Sequence, residues 1–139
     1  MSTEQYVDLR RRFVDFDARD ITTLTMRMLG SYADRMTVGW DELLRSECAV
    51  ILGEPGCGKT TESKARVAAI RASGGHAFYR TVADLNRSGA PIVPMHERPA
   101  LAAWRASGAK CVFVLDSLDE ARNAGGGLET AVERLAAPK

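Results

Sequence analysis

Cysteine is scarce in this chain of 139 residues: Cys48, Cys57 and Cys111 are three in number and no two stand as C-x-x-C. Such a set builds neither a disulfide framework nor a zinc site, and it fits a reducing cytoplasm. Long apolar runs are lacking too. No stretch reaches the roughly 18 consecutive apolar residues of a membrane helix, so no span is predicted. The opening MSTEQYVDLRRR lacks the basic-then-apolar pattern of a secretion signal. Charge of one sign is also missing: 19 Lys and Arg stand against 18 Asp and Glu, a formal net charge of +1. Bulk electrostatics therefore carry no direct nucleic-acid signal. What remains is ordinary for a globular protein, with 45% apolar and 27% charged residues in a chain long enough for one domain with a real core.

The informative stretch is Cys48–Thr61, CAVILGEPGCGKTT. Ala49, Val50, Ile51 and Leu52 form a short apolar run that predicts a buried strand, and a helix is predicted after the loop. Between them, Gly53-Glu54-Pro55-Gly56-Cys57-Gly58-Lys59-Thr60 spells G-x-x-x-x-G-K-[ST]. A loop that wraps a phosphate turns its backbone N–H groups inward, and Gly53, Gly56 and Gly58 allow the dihedrals this needs. Glu54, Pro55, Cys57 and Thr61 complete the candidate binding loop. The following helix points its N-terminus at the anion. On this reading Lys59 reaches the β- and γ-phosphates of a nucleoside triphosphate, and the Thr60 hydroxyl is a Mg²⁺ ligand. A Gly-rich turn ending in Lys-Thr by chance is the plainer alternative, and the order strand, loop, helix argues against it. Cys57 is either a reactive thiol at a helix N-terminus or simply a small residue tolerated in the loop.

The rest of the chain reads as follows. Residues 1–18 form an amphipathic helix, with Tyr6, Leu9, Phe13 and Phe16 at helical spacing. Arg10, Arg11 and Arg12 are offset by Asp8, Asp15 and Asp17 and read as a solvated face. Residues 21–36 allow a strand and short helix, or one helix broken near Gly30-Ser31, so residues 1–36 make an N-terminal helical segment. Trp40, Leu43 and Leu44 bury one side of a helical turn, with Trp40 read as core packing ahead of the alternative, a place in the wall of a base pocket. Thr60–Ser73 predicts a helix stopped at Gly74-Gly75, and His76–Thr81 a short strand. Residues 84–98 read as a long irregular loop, Pro99–Ser107 as a helix opening on proline, and Leu128–Ala137 as a last helix. His76 and His96 have no second ligand at metal spacing and read as structural.

The second informative stretch is Lys110–Arg122, KCVFVLDSLDEAR. Cys111, Val112, Phe113, Val114 and Leu115 form a continuous apolar run, the pattern of a strand buried on both faces. It ends in Asp116, at the strand end where ligands bind in α/β sheets. In a phosphate-loop protein this acid helps to hold Mg²⁺. Asp119 or Glu120 then orients or deprotonates the attacking water. The alternative is an N-cap with acidic first-turn residues on the next helix, which suits Asp119 in part but not Asp116.

With both stretches in hand, the chain resembles the NACHT branch of the STAND class of phosphate-loop NTPases, bacterial members above all. WDELL followed by VILGEPGCGKTTE is similar to that branch's entry to the phosphate loop, and LDSLDEAR to its Mg²⁺-site motif, from about Trp40 to Leu135. DSLDEAR is the more selective of the two. The resemblance implies an α/β fold, a three-layer parallel sheet flanked by helices. It implies a nucleotide-operated switch acting in signalling or antiphage defence. ATP, or GTP in some members, is bound with Mg²⁺, and exchange or hydrolysis toggles closed and oligomerising forms. By position, Gly53, Gly56, Gly58, Lys59 and Thr60 hold the phosphates, Asp116 serves Mg²⁺, and Asp119 or Glu120 serves the catalytic water.

Residues 37–139 then make the NTPase domain, incomplete at the C-terminus. The family's next strand lies between the phosphate-loop strand and the Asp116 strand; it and the winged-helix region are not in this sequence. The expectation is a nucleotide-binding module with hydrolysis weak or absent. Its open strand edges would self-associate or take a partner chain that completes the sheet, or the Cys48–Leu52 and Cys111–Leu115 strands would pair directly. Two other readings stand beside it. One is a small complete phosphate-loop kinase or ATPase, with Arg87 and Arg98 as phosphate clamps. The other is a non-catalytic interaction fragment.

Overall fold

The structure is a computed structural model that describes residues 13–14, 37–51, 56–118 and 127–137. The chain divides into two compact units, Met1–Gly53 and Glu54–Lys139.

In the first unit β1 (Phe13–Val14) pairs antiparallel with β2 (Thr37–Val38), and one helical turn, α1 (Trp40–Leu43), follows. Trp40 is buried, as expected for core packing. The Phe13 ring meets it edge-on, with centroids 5.0 Å apart and planes at 82°. This sets the positive edge of one ring against the negative face of the other. Phe13 thus lies in a strand rather than in the helix expected over residues 1–18; pairing with a distant segment overrides the local helical spacing. The remainder of residues 1–36 lies outside the described residues.

The apolar run before the phosphate loop brings a second correction. Cys48–Ile51 carry no strand, and Val50 is 64% exposed; Leu52 is outside the described residues. An apolar run becomes a parallel strand only where neighbours accept and donate its backbone hydrogen bonds. Among the described residues none pairs with this run.

In the second unit, α2 (Lys59–Ala72) is rich in Ala, Lys, Arg and Glu, with no interior Gly or Pro. Glu62 in its first turn and Arg71 in its last complement the helix dipole. β3 (His76–Thr81) follows. Thr81 then caps α3 (Val82–Asn86), its Oγ1 accepting the Asp84 N–H at 3.1 Å. Within the irregular loop expected over residues 84–98, α3 takes residues 84–86 and a 3-10 turn takes Met95–Glu97; residues 87–94 between them are irregular, with Val93 fully buried. α4 (Arg98–Ser107) opens with Pro99 in its first turn. β4 (Cys111–Asp116) and α5 (Leu128–Ala136) complete the unit.

β3 and β4 form a two-stranded parallel sheet, and the chain crosses from one to the other through α3 and α4. Phe78 stands opposite Phe113, and their rings stack with centroids 5.3 Å apart. Trp104 of α4 packs edge-on against Phe113, and Leu101 and Val93 close this cluster. A second cluster joins Val82, Leu85 and Ala131, with Leu115, Leu128 and Leu135 around it. All six residues of β4 are only half-buried, not enclosed on both faces as the apolar run suggests. A sheet of two strands covers less of each strand than a wide one does.

Candidate functional site

The parallel register brings the chemistry together. Tyr79 stands opposite Val114, and Thr81 opposite Asp116. Strand side chains alternate between faces, so Tyr79, Val114 and Asp116 share one face, with Tyr79 diagonal to the acid. The first turn of α2 meets the same acid. Thr60 Oγ1 donates to Asp116 Oδ2 at 2.5 Å, across 56 positions of sequence. The Tyr79 hydroxyl donates to the same oxygen at 2.6 Å. The Ser117 N–H donates to Oδ1 at 2.8 Å. Ser117 has φ 59, in the left-handed region, which costs a non-glycine residue about 1–2 kcal/mol. That turn carries the chain off the strand at the acid.

Burial pushes the Asp116 carboxyl up, but hydrogen bonds from Thr60, Tyr79 and the Ser117 N–H, with the Lys59 ammonium nearby, outweigh it. The carboxyl is held below the usual carboxylate range and is ionised at neutral pH. Tyr79 moves the other way. Burial, then its hydrogen bond to the Asp116 carboxylate, pushes the phenol well above its ordinary value, so it acts as a neutral donor.

The loop before α2 is described from Gly56 onward. Gly56 has φ 75 and Gly58 φ 84, both in the left-handed region that favours glycine. Gly58 is the N-cap of α2, and no side chain caps the helix there. The first-turn N–H groups of such a helix suit an anion. Lys59 Nζ donates to Cys57 Sγ at 3.7 Å. Thr61 is exposed on the first turn. The sequence-predicted residues Gly56, Cys57, Gly58, Lys59, Thr60 and Thr61 thus run from the loop into α2, and Asp116 meets Thr60. Gly53, Glu54, Pro55, Asp119 and Glu120 lie outside the described residues. Tyr79 is the residue that sequence reading missed, since motif spacing says nothing of a diagonal neighbour on another strand.

Among the described residues no three His, Cys, Asp or Glu side chains gather to hold a metal. Magnesium seldom asks for such a cage. It keeps several waters and takes one or two protein oxygens beside those of a phosphate. A threonine hydroxyl and an ionised carboxylate in contact are hard oxygen donors of that kind.

The second unit is thus a mixed helix and strand structure with a small parallel sheet, compatible with an α/β class, and a strand-end acid joined to a helix-start hydroxyl. Compared with known protein families, curated proteins and solved structures, the chain matches none. Among the described residues no helix is long and apolar enough to cross a membrane.

Proposed function

We propose that the chain is the Mg-ATP-binding module of a NACHT-like nucleotide switch with a phosphate-loop fold. The observation that carries this reading is the hydrogen bond from Thr60 Oγ1 to Asp116 Oδ2 at 2.5 Å. The two motifs lie 56 positions apart in sequence, and the residue of each that is proposed to bind the cation meets the other.

Each residue has a task. The loop N–H groups from Gly56 onward and the start of α2 bind phosphate oxygens, and Lys59 adds positive charge. Thr60 and Asp116 hold Mg²⁺, which supplies charge neutralisation on the phosphates when bound. The Thr60 hydroxyl can donate to Asp116 while offering a lone pair to the cation. Asp116 holds its proton weakly, so it is a poor base, and activation of water falls to Asp119 or Glu120. The activity proposed is nucleotide binding, with hydrolysis weak or absent. ATP is favoured over GTP by the resemblance, as is a signalling or defence role; the cytoplasmic setting rests on the cysteine usage. The edges of the parallel sheet suit a further strand from a second copy or a partner chain.

The test is thermal melting of the chain with and without Mg-ATP, beside Lys59→Ala. A ligand that binds only the folded state adds about 2.7 kcal/mol at roughly 100 times its dissociation constant. The expected result is a Mg²⁺-dependent rise in Tm that Lys59→Ala abolishes. A folded wild type with no rise overturns the reading.

A further inference from the structure

Tyr79 belongs to neither motif, yet its hydroxyl lies 2.6 Å from the oxygen that Thr60 also contacts. We propose that Tyr79 is a positioning residue for the divalent cation: with Thr60 and the Ser117 N–H it fixes the Asp116 carboxylate in the orientation that faces the start of α2. The proposal rests on the reading of Thr60 and Asp116 as cation ligands.

An aspartate on the last residue of a strand turns about two side-chain bonds, and a cation takes its oxygen in one orientation only. Here each oxygen is held. The Ser117 N–H fixes Oδ1, while Thr60 and Tyr79 both donate to Oδ2. Thr60 is itself a ligand in this reading: its hydroxyl donates to Oδ2 and its lone pair is left for the cation. The Tyr79 hydroxyl, which also neighbours Thr60, is not a ligand in this reading, so its hydrogen bond to Oδ2 is free to persist when the cation binds. Its own position is preset. The backbone of Tyr79 is locked in β3, and the Lys64 ammonium sits over the ring, 5.2 Å from its centroid. Lys64 lies four residues after Thr60 on α2, hence on the same helix face. One helix thereby contacts both the phenol ring and the acid that the phenol orients.

The inference is tested on the whole chain with a fluorescent ATP analogue. Binding is measured without metal in EDTA and then across a Mn²⁺ titration. Tyr79→Phe keeps the ring and removes the hydroxyl. Removing an outer-sphere partner of a metal ligand typically weakens metal affinity 10- to 100-fold, so the half-saturating Mn²⁺ concentration is expected to rise by about that factor. Metal-free affinity is expected to stay unchanged, and the Tm of the ligand-free chain to fall only modestly, by the loss of one hydrogen bond to a charged group. In an Asp116→Asn background the same substitution is expected to have no further effect, because the two residues act as one unit.

An unchanged Mn²⁺ dependence in Tyr79→Phe overturns the positioning role and leaves the nucleotide reading standing. A loss of metal-free affinity together with a large fall in Tm also overturns it, since the two mark a packing role. A loss that persists in Asp116→Asn overturns it as well, because Tyr79 then acts on another group. No analogue binding by a folded wild type overturns both readings together.

Discussion

Cys111 opens β4 beside Phe78, Val93 and Leu101. Burial pushes its thiol up to about 11, although the Arg71 charge and the Val112 backbone pull the other way. The nucleophile is the thiolate, so this shift lowers reactivity at mild pH. Cys48, by contrast, is exposed. At pH 8 a disulfide reagent is expected to label Cys111 more slowly than the exposed Cys48, because burial limits both access to the Cys111 sulfur and its thiolate fraction. Peptide mass mapping over a time course checks this, and equal rates would contradict the burial. The same shift has a sign for stability. The folded thiol holds its proton more tightly than the unfolded one. Its contribution is complete below the unfolded value and fades as pH climbs through about 11. Cys111→Val is expected to flatten part of that alkaline loss; the raised phenol of Tyr79 leaves the remainder in place.

At the scale of elements, α3 is too short to hold itself, and Arg134 of α5 supplies what it lacks. Its guanidinium donates to the carbonyl of Leu85, to that of Arg87 at 3.1 Å and to that of Ala90 at 2.5 Å. A positive fork at the end of a helix satisfies carbonyls that have no partner within the helix, and favours the dipole. Lysine keeps the charge but not the planar fork. Arg134→Lys is therefore expected to cost about 1–2 kcal/mol. For a unit of this size that is roughly 4–16 °C in Tm. Thermal melting reads the total, and amide exchange is expected to rise first in α3.

This contact also explains what could and could not be read from the chain. α2, β3, α4, β4 and α5 are legible to within a residue or so: Gly or Pro lies within two residues of both ends of α2, α4 and α5, Gly74-Gly75 precedes β3, and β4 is a continuous apolar run. α3 is not legible, since its support comes from Arg134, 49 residues away. β1 was hidden for the same reason, its partner being Thr37–Val38. Cys48–Ile51 misled in the other direction, because apolar content marks a strand only where neighbours exist to pair with it. At the site, Thr60 and Asp116 stood out as motif residues. Tyr79 did not, because its role depends on the register between β3 and β4.

For the whole molecule, the division into Met1–Gly53 and Glu54–Lys139 has a measurable consequence. A two-stranded sheet alone is marginal in water and needs helices packed on it. β3 and β4 have them. Leu101 and Trp104 of α4 cover the Phe78–Phe113 pair, and Leu115 joins the cluster built on Val82, Leu85 and Ala131. Both clusters, the Arg71–Glu97 ion pair at 2.8 Å and the Thr60–Tyr79–Asp116 contacts lie within residues 54–139. A chain of two compact units does not owe its unfolding to one two-state step. The fragment 54–139, expressed alone, is therefore expected to unfold cooperatively, with a Tm matching one transition of the full chain. Calorimetry of both proteins checks it. A fragment that shows no transition would mean that residues 1–53 contribute to the core around Phe78 and Val82, and the site at Asp116 would then need both units to form.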